Sequence, residues 1–237
     1  MAEVKDKALR VLLTGPIASE AELTATARED DLHAVAAFVS EHRRREYLAW
    51  RALLYGYLGR DVRVEYDASG APRLVPYPDL HISVSHCRDM VAVALSDRVC
   101  GVDMERLDRD FMKAAPRFLS ARERALSEDK RLAAAVWCAK ECLYKMYGRR
   151  GMDLLRDLAV GSVDFARGTI RGTVAADAAG NVTGEGSTEG SAAGNVTGDG
   201  SAEDNAAGNV AVNVMGTVTV DMRMMITPDG HIIVYSV

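Results

Sequence analysis

Short segments in which apolar residues alternate with polar ones, or follow one another between turns, predict β-strands along this chain. The predicted strands are 81–86, 90–95, 98–105, 217–226 and 231–235. In the first of them, Ile82 and Val84 share one face and are expected to point into the core. The last two strands flank a Pro-Asp-Gly sequence that is typical of a hairpin turn.

A period close to that of the α-helix predicts two longer helices. The first spans residues 41–57, and the second spans residues 130–147 and ends at Gly148. Ser120 and Glu123 form a capping-box pattern, which marks the start of a further helix between the two longer ones. Strands and helices in this order predict an α+β fold.

Two acidic side chains stand two positions apart in the strand 98–105. Asp103 and Glu105 share one face, whereas Val102 and Met104 point the other way into the core. Neighbouring carboxylates repel each other unless a cation lies between them, and a cluster of oxygen ligands suits Mg²⁺. An exposed strand edge with solvated acids is the alternative, and it is the better explanation of these two residues alone.

The helix 130–147 carries further charged groups on one face. At about 100° per residue, Lys140, Glu141, Tyr144 and Lys145 fall within an arc of roughly 140°. An acid therefore lies between two bases. The alternative is a solvated face with an ordinary Glu141–Lys145 pair, contributing about 0.2–0.5 kcal/mol, and it is the better explanation of this helix alone.

His86 lies where the strand 81–86 is expected to give way to a turn, and a histidine in such a loop can donate to a phosphate. A satisfied structural side chain is the commoner role of a single histidine beside a strand. The remaining histidines show no spacing typical of metal ligands and receive no role; they are His33, His42, His81 and His231.

Three of these segments, in this order, resemble the signatures of the 4'-phosphopantetheinyl transferases. They are Ser85-His86 at the end of a strand, the pattern G-V-D-M-E at 101–105, and the pattern W-x-x-K-E-x-x-x-K at 137–145. A shorter step, F-L-S-A-R-E at 118–123, lies between the last two. Each segment alone is a weak signal, but the ordered set is similar to the larger type of this family, which activates carrier proteins of nonribosomal peptide, polyketide and fatty-acid synthases.

The chain departs from the family pattern at a few positions. Met104 stands where Ile or Val is usual, which is a volume-conserving exchange in the core. Cys87 follows His86 where many members have Ser, so a hydrogen-bond partner for a phosphate is lost. Upstream, Arg73 ends a Gly-Ala-Pro-Arg sequence where a G-K-P step is common.

The resemblance implies transfer of the phosphopantetheine arm of coenzyme A to a serine of an apo-carrier protein, with release of adenosine 3',5'-bisphosphate. It implies a Mg²⁺ ion bound by Asp103, Glu105 and Glu141, with Glu141 and Lys145 as catalytic residues. A further role of Glu141 as the base that accepts the serine proton is left open. The resemblance also implies that coenzyme A contacts His86, Ser85, Lys140, Lys145, Arg43, Arg44 and Arg73. For Arg43 and Arg44, a solvated basic patch explains the sequence about as well.

The composition fits an enzyme of a reducing compartment. The chain has 237 residues, enough for one large domain or two small ones, and no stretch resembles a membrane span or a nucleic-acid footprint. The four cysteines form no C-x-x-C pair and are expected to be reduced; they are Cys87, Cys100, Cys138 and Cys142. We therefore expect a monomeric cytoplasmic enzyme that contacts neither nucleic acid nor a membrane.

The segment 172–213 differs in composition from the rest of the chain. The sequence Ala-Ala-Gly-Asn-Val begins at Ala178, Ala192 and Ala206, a spacing of 14 residues. Many glycines and the lack of aromatic residues predict a flexible insertion in a surface loop rather than a solenoid. The segment contains six acids and neither Lys nor Arg, so removing it changes the formal charge from −5 to +1. A nearly neutral body with a basic patch can accept an acidic carrier.

The resemblance implies two similar, pseudo-symmetric lobes with coenzyme A between them. The N-terminal lobe would span residues 1–96, and the C-terminal lobe, 97–237, would carry the metal site and the insertion. Another Mg²⁺-dependent phosphotransfer enzyme is one alternative, which is disfavoured because no P-loop, kinase or glycine-rich phosphate signature occurs. A carrier-binding homologue without activity is the other, which is disfavoured because the acids and Lys145 are retained.

Overall fold

The computed structural model of the protein describes residues 10–68, 70–148, 151–175, 210–212 and 217–236. The described strands are β1 (Arg10–Pro16), β2 (Arg63–Tyr66), β3 (Pro72–Val75), β4 (His81–His86), β5 (Met90–Ser96), β6 (Gly101–Arg106), β7 (Leu158–Asp164), β8 (Thr169–Val174), β9 (Val210–Val212), β10 (Val218–Ile226) and β11 (His231–Ser236). The described α-helices are α1 (Glu20–Thr26), α2 (Glu29–Val35), α3 (Glu41–Leu58), α4 (Ala121–Arg124) and α5 (Leu132–Tyr147), and a 3₁₀ helix spans Ala115–Arg117.

The first sheet is antiparallel, with the strand order β1-β5-β4. Its central strand β5 is buried on both faces, which explains why its sequence is almost continuously apolar. Val91, Val93 and Leu95 pack towards α3, in a core that includes Leu54. Ser40 caps the start of α3, because its hydroxyl accepts from the Arg43 amide. Helix α3 covers one face of the sheet.

The second sheet has the order β6-β11-β10-β8-β7, and β9 pairs with the free part of β10. Helix α5 packs against this sheet and contributes Ala135, Ala139 and Leu143 to the largest core cluster. Gly148 caps the helix by donating from its amide to the carbonyl of Tyr144. Helix α5 lies over β6, which is the edge strand of this sheet.

The two sheets meet through small residues and two serines. Ala92 and Ala94, on the second face of β5, pack with Val102 and Met104 of β6. The edge of β6 that faces β4 has no backbone ladder with it; instead, Ser83 Oγ accepts from the Val102 amide and Ser85 Oγ accepts from the Met104 amide, each at 3.1 Å. Side chains of one sheet therefore satisfy the open edge of the other.

The α+β class is confirmed, and the predicted strands and helices are present with shifts of up to three residues at their ends. One difference concerns His86, which we expected to begin a turn: it is the last residue of β4 and pairs with Val91. The elements that the sequence pattern did not predict are β1, α1, α2, β2, β3, the 3₁₀ helix, β7, β8 and β9. The two lobes remain a prediction.

The segment predicted as an insertion is only partly described. Residues 172–174 belong to β8, and residues 210–212 form β9. Residues 176–209, which contain the repeats, and residue 213 lie outside the described residues. Within the described part of the chain, no helix combines the length and apolar character that crossing a membrane requires.

Candidate active site

A glycine permits the close approach on which the site depends. Gly101 begins β6, and a Cβ atom at this position would lie 2.5 Å from the Cys142 carbonyl oxygen and 2.8 Å from Met146 Cγ of α5. Only a residue without a side chain leaves room for the helix here. The first glycine of the G-V-D-M-E pattern therefore brings α5 down onto β6.

Asp103 is the buried centre of the arrangement, with 6 % of the residue exposed. Its Oδ1 accepts from Lys145 Nζ at 2.8 Å and from Ser85 Oγ at 2.9 Å. Its Oδ2 is buried and has no hydrogen-bond partner of good geometry among the described residues. The buried Cys138 thiol, whose pKa is raised by burial and by Asp103, is a potential donor to the same carboxylate. A buried carboxylate oxygen in this state is costly unless a cation or a donor reaches it.

Glu141, on α5, lies beside Asp103. Burial, and secondly the charge of Asp103, raise the pKa of the Glu141 carboxyl above its ordinary value, while Lys145 and Arg109 act in the opposite direction. Glu141 makes no hydrogen bond or ion pair with the described part of the chain. The two carboxylates are thus close enough for the charge of Asp103 to affect Glu141, and a divalent cation stabilises such a pair.

Glu105 extends the acidic face along β6, but its carboxylate already has a partner, because Arg109 forms an ion pair with it. The oxygens of Asp103, Glu105 and Glu141 do not all lie within 4.8 Å of one another. Over the described ranges, one group of three potential ligands does meet that limit, and it consists of Cys87, Asp89 and His231. The predicted acids share one face, but in this structure they do not form a compact set of metal ligands.

The two lysines of α5 have different surroundings. Lys145 Nζ donates to Asp103 and also to the Val102 carbonyl at 2.8 Å, and 27 % of its side chain is exposed. Lys140 is fully buried, where its Nζ donates to the Phe118 carbonyl at 2.7 Å and pairs with Glu123 at 2.8 Å. The structure therefore separates Lys140 from the acids, contrary to the expectation that both lysines contact phosphate.

Ser85 is likewise occupied within the protein. It is 5 % exposed, its hydroxyl donates to Asp103, and the same oxygen accepts from the Met104 amide. These bonds fix the position of the Asp103 carboxylate. In this structure Ser85 therefore orients Asp103, whereas the sequence led us to expect a direct contact with coenzyme A.

His86 points to the other side of β4, towards α3. Its Nδ1 is 2.9 Å from Glu46 Oε1, and Glu46 also contacts His42 at 2.9 Å and Arg43 at 3.0 Å. Burial lowers the pKa of the His86 imidazole against the opposing effect of Glu46, and the charges of Arg43, Lys145 and His42 lower it further. Glu46 was missed in the sequence because nothing in its helical pattern marks it.

An open groove of about 340 Å³ lies beside His86. Its lining consists of Phe38, Arg43, Glu46, Tyr47, Trp50, Tyr66 and His86. Beneath it, the buried Arg51 guanidinium lies over the Tyr47 ring, 3.4 Å from the ring centroid, and over the Trp50 ring at 4.0 Å. The groove combines aromatic faces with basic groups, and its volume is in the range typical of small-molecule sites.

The other arginines predicted to contact coenzyme A lie in different places. Arg43 lines the groove, and its side chain is 65 % exposed. Arg44 instead binds Glu20 at 2.6 Å and the Phe38 carbonyl at 2.8 Å, so it ties α1 to α3. Arg73 pairs with Asp67 at 3.0 Å in the β2–β3 hairpin and is not among the residues that line the groove.

Comparison with protein families gives a match over residues 99–183, to the 4'-phosphopantetheinyl transferase superfamily. The matched segment includes β6 and α5, and with them Asp103, Glu105, Glu141 and Lys145. The resemblance seen in the sequence is therefore confirmed at the level of the superfamily, which supports phosphopantetheine transfer in general. No curated protein matches the chain.

Proposed function

We propose that this protein transfers the phosphopantetheine arm of coenzyme A to a serine of an apo-carrier protein, and that it is of the larger type, which activates biosynthetic carrier proteins. The observation that carries the proposal is the pair formed by Asp103 and Glu141. One offers a buried oxygen without a hydrogen bond, and the other makes no ion pair within the described chain. The superfamily match covers both residues.

These carboxylates fit a magnesium ion. Asp103 Oδ2 and Glu141 would hold it, and Glu105 would join them once its pair with Arg109 opens. A Mg²⁺ ion bound there supplies positive charge for the diphosphate of coenzyme A and leaves several positions for water and phosphate oxygens. Lys145, already directed at Asp103, would donate to the same diphosphate.

The chemical step is a substitution at phosphorus. The carrier serine oxygen attacks the phosphorus that bears pantetheine, the bond to the second phosphate breaks, and adenosine 3',5'-bisphosphate leaves. Glu141 can also accept the serine proton, directly or through water, when its carboxylate is not bound to the ion. Its main role in this proposal is that of a metal ligand.

The groove between α3 and β4 would receive the nucleotide end of coenzyme A. Tyr66, which is 53 % exposed, offers a face against which an adenine ring can stack, whereas Trp50 is buried and carries Arg51 on its ring. Arg43 would bind a phosphate, and His86 would donate to one when its imidazole is protonated, because Nδ1 is held by Glu46. The charge of Lys145 contributes to the lowered pKa of His86, which supports a position of the groove near the acids.

The partner and the compartment follow from the same proposal. The acceptor is an acyl, peptidyl or aryl carrier protein. All four cysteines are free thiols, and three of them are buried, which supports a reducing compartment such as the cytoplasm.

The test is incubation of the purified protein with coenzyme A, Mg²⁺ and apo-carriers of the acyl, peptidyl and aryl types. The expected result is a mass increase of one phosphopantetheine on at least one carrier, at the serine, which is lost when EDTA is added or when the serine is replaced by alanine. A folded protein that binds a carrier without modifying any of the three types would overturn the proposal. That outcome would identify an inactive carrier-binding homologue.

A further inference from the structure

A second cluster of metal-ligating side chains lies outside the proposed active site. Cys87 and Asp89 occupy the turn between β4 and β5, and His231 begins β11 of the other sheet. Their ligand atoms lie within 4.8 Å of one another. His231 is 1 % exposed, whereas Cys87 and Asp89 are accessible from solvent, so an ion can enter from one side.

Asp89 is the centre of this cluster. Its Oδ1 is 2.9 Å from His231 Nε2 and 3.9 Å from Cys87 Sγ, whereas its Oδ2 accepts from Arg106 at 3.0 Å. In a tetrahedral site with Zn–S near 2.3 Å and Zn–N or Zn–O near 2.1 Å, ligand atoms lie about 3.3–3.6 Å apart. The observed separations lie on either side of that range, so small side-chain movements suffice.

The surroundings hold the ligands in place. The Cys87 amide donates to the Met90 carbonyl, and the Asp89 carbonyl accepts from the Ile17 amide, so the turn is fixed at both ends. Thr227 Oγ1 accepts from the His231 amide at 3.0 Å and lies 3.3 Å from His231 Nδ1. When the imidazole proton is on Nδ1, the hydroxyl can accept a hydrogen bond from it, and Nε2 can then coordinate a metal in place of its hydrogen bond to Asp89.

We propose that Cys87, Asp89 and His231 bind a Zn²⁺ ion, with water as the fourth ligand, and that the ion links the two sheets. A thiolate, an imidazole and a carboxylate in one site favour zinc over magnesium, which prefers oxygen ligands alone. The thiolate is the form of Cys87 that binds zinc, so binding releases the thiol proton. This site shares no residue with the Asp103 and Glu141 site.

The experiment measures zinc binding by the full chain in saturating Mg²⁺, which occupies the oxygen ligands elsewhere. We expect one Zn²⁺ per chain, and a thiolate-to-metal absorption band when Co²⁺ replaces zinc. Cys87→Ser and Asp89→Asn should each weaken binding by about 100-fold or more. Asp108→Asn is the matched control, because Asp108 also binds Arg106, at 3.0 Å, but is not part of the cluster, and it should bind zinc normally.

A second measurement needs no variant. Cys87 is the one cysteine that is not buried, so alkylation of the native protein followed by peptide mass spectrometry should modify it first. Zinc should protect Cys87 from alkylation, and Mg²⁺ should not. Zinc binding that is unchanged in both variants, or alkylation of Cys87 at the same rate with and without zinc, would refute the site whatever the transfer assay gives.

Discussion

At the scale of single residues, the state of Asp103 leads to the first prediction. Asparagine in its place keeps the shape and can still accept from Lys145 and Ser85, but it removes the negative charge that a cation needs. We expect Asp103→Asn to lower the transfer rate by about 10³-fold, corresponding to several kcal/mol of lost charge stabilisation. The measurement is the rate of carrier modification at saturating coenzyme A and Mg²⁺.

The control for this variant is Asp221→Asn, which alters a strand aspartate that pairs with Arg171 on the second sheet, at 2.6 Å. It should leave the transfer rate unchanged. Addition of Mg²⁺ should raise the thermal unfolding midpoint of the wild-type chain but not that of Asp103→Asn, because only the wild type binds the ion. Normal turnover of Asp103→Asn would show that Asp103 is not a metal ligand.

Lys140 contacts residues other than the ligand that the family resemblance implies for it. Lys140 and Glu141 are adjacent, so their side chains leave the helix about 100° apart. On a helix with one solvated face both could reach the same ligand. Helix α5 is instead covered by the second sheet and by Phe118 and Glu123, and Lys140 meets those two residues.

The second prediction follows from this buried pair. Lys140→Ala leaves Glu123 buried at 2 % exposure without its cation, and we expect a loss of about 3–5 kcal/mol in the free energy of unfolding. The KM for coenzyme A of the folded fraction should stay within about twofold of the wild type, because Lys140 contacts Phe118 and Glu123 instead. A twofold change corresponds to about 0.4 kcal/mol. The double variant Lys140→Met with Glu123→Gln should recover part of the stability. A raised KM with unchanged stability would instead restore Lys140 as a phosphate ligand.

The same pair makes stability depend on pH. Burial alone would raise the pKa of the Glu123 carboxyl, but hydrogen bonds from Lys140 and from the Ser120 and Val160 amides lower it below its ordinary value. Its stabilising contribution is therefore present above the ordinary carboxyl pKa and is lost as the pH falls through the lower, folded value. In urea titrations below neutral pH, the double variant should show a flatter dependence than the wild type.

At the scale of secondary-structure elements, the contact between α5 and β6 places the acids together. Gly101→Ala would put a methyl group 2.5 Å from the Cys142 carbonyl oxygen, so helix and strand must separate. We expect a loss of about 1–3 kcal/mol in stability. The transfer rate should fall as well, because Glu141 and Lys145 move away from Asp103. Unfolding in urea and the carrier assay measure the two effects.

Gly161→Ala provides the matched control. This glycine also lies in a strand, β7, but an added methyl group would meet nothing closer than the Arg171 carbonyl oxygen at 3.8 Å. Its stability and activity should match those of the wild type. Equal behaviour of the two alanine variants would contradict the role assigned to Gly101.

The sequence predicts β6 and α5 well, because alternation and the helical period depend only on residues that are close together in the chain. Alternation placed Asp103 on one face of β6, and the helical period placed Glu141 and Lys145 on α5. The partners that the sequence missed are joined by long-range contacts. His231 and Asp89 are 142 positions apart and meet only because the two sheets pack together. Glu46 and His86 likewise meet only once α3 covers β4.

At the scale of the whole molecule, the positions of β8 and β9 indicate that a short linker can replace the acidic segment. Val218 of β10 pairs with Val174 of β8 and with Val212 of β9, so the two strands lie on opposite edges of β10. Val210 is therefore about 12 Å from Val174, given strand spacings near 4.8 Å and a rise near 3.4 Å per residue. A linker of about six residues spans this gap.

Replacement of residues 176–209 by six Gly and Ser residues removes all six acids of the segment 172–213 and changes the formal charge from −5 to +1. We expect cooperative unfolding and a retained maximal rate. The KM for an acidic carrier should fall a few-fold at low ionic strength and return to the wild-type value at high salt, because the effect is long-range attraction. A linker of six Glu residues is the matched control: it has the same length and restores the charge to −5, so it should restore the wild-type KM. Loss of cooperative unfolding in both linker variants would show instead that the replaced residues pack against the second sheet.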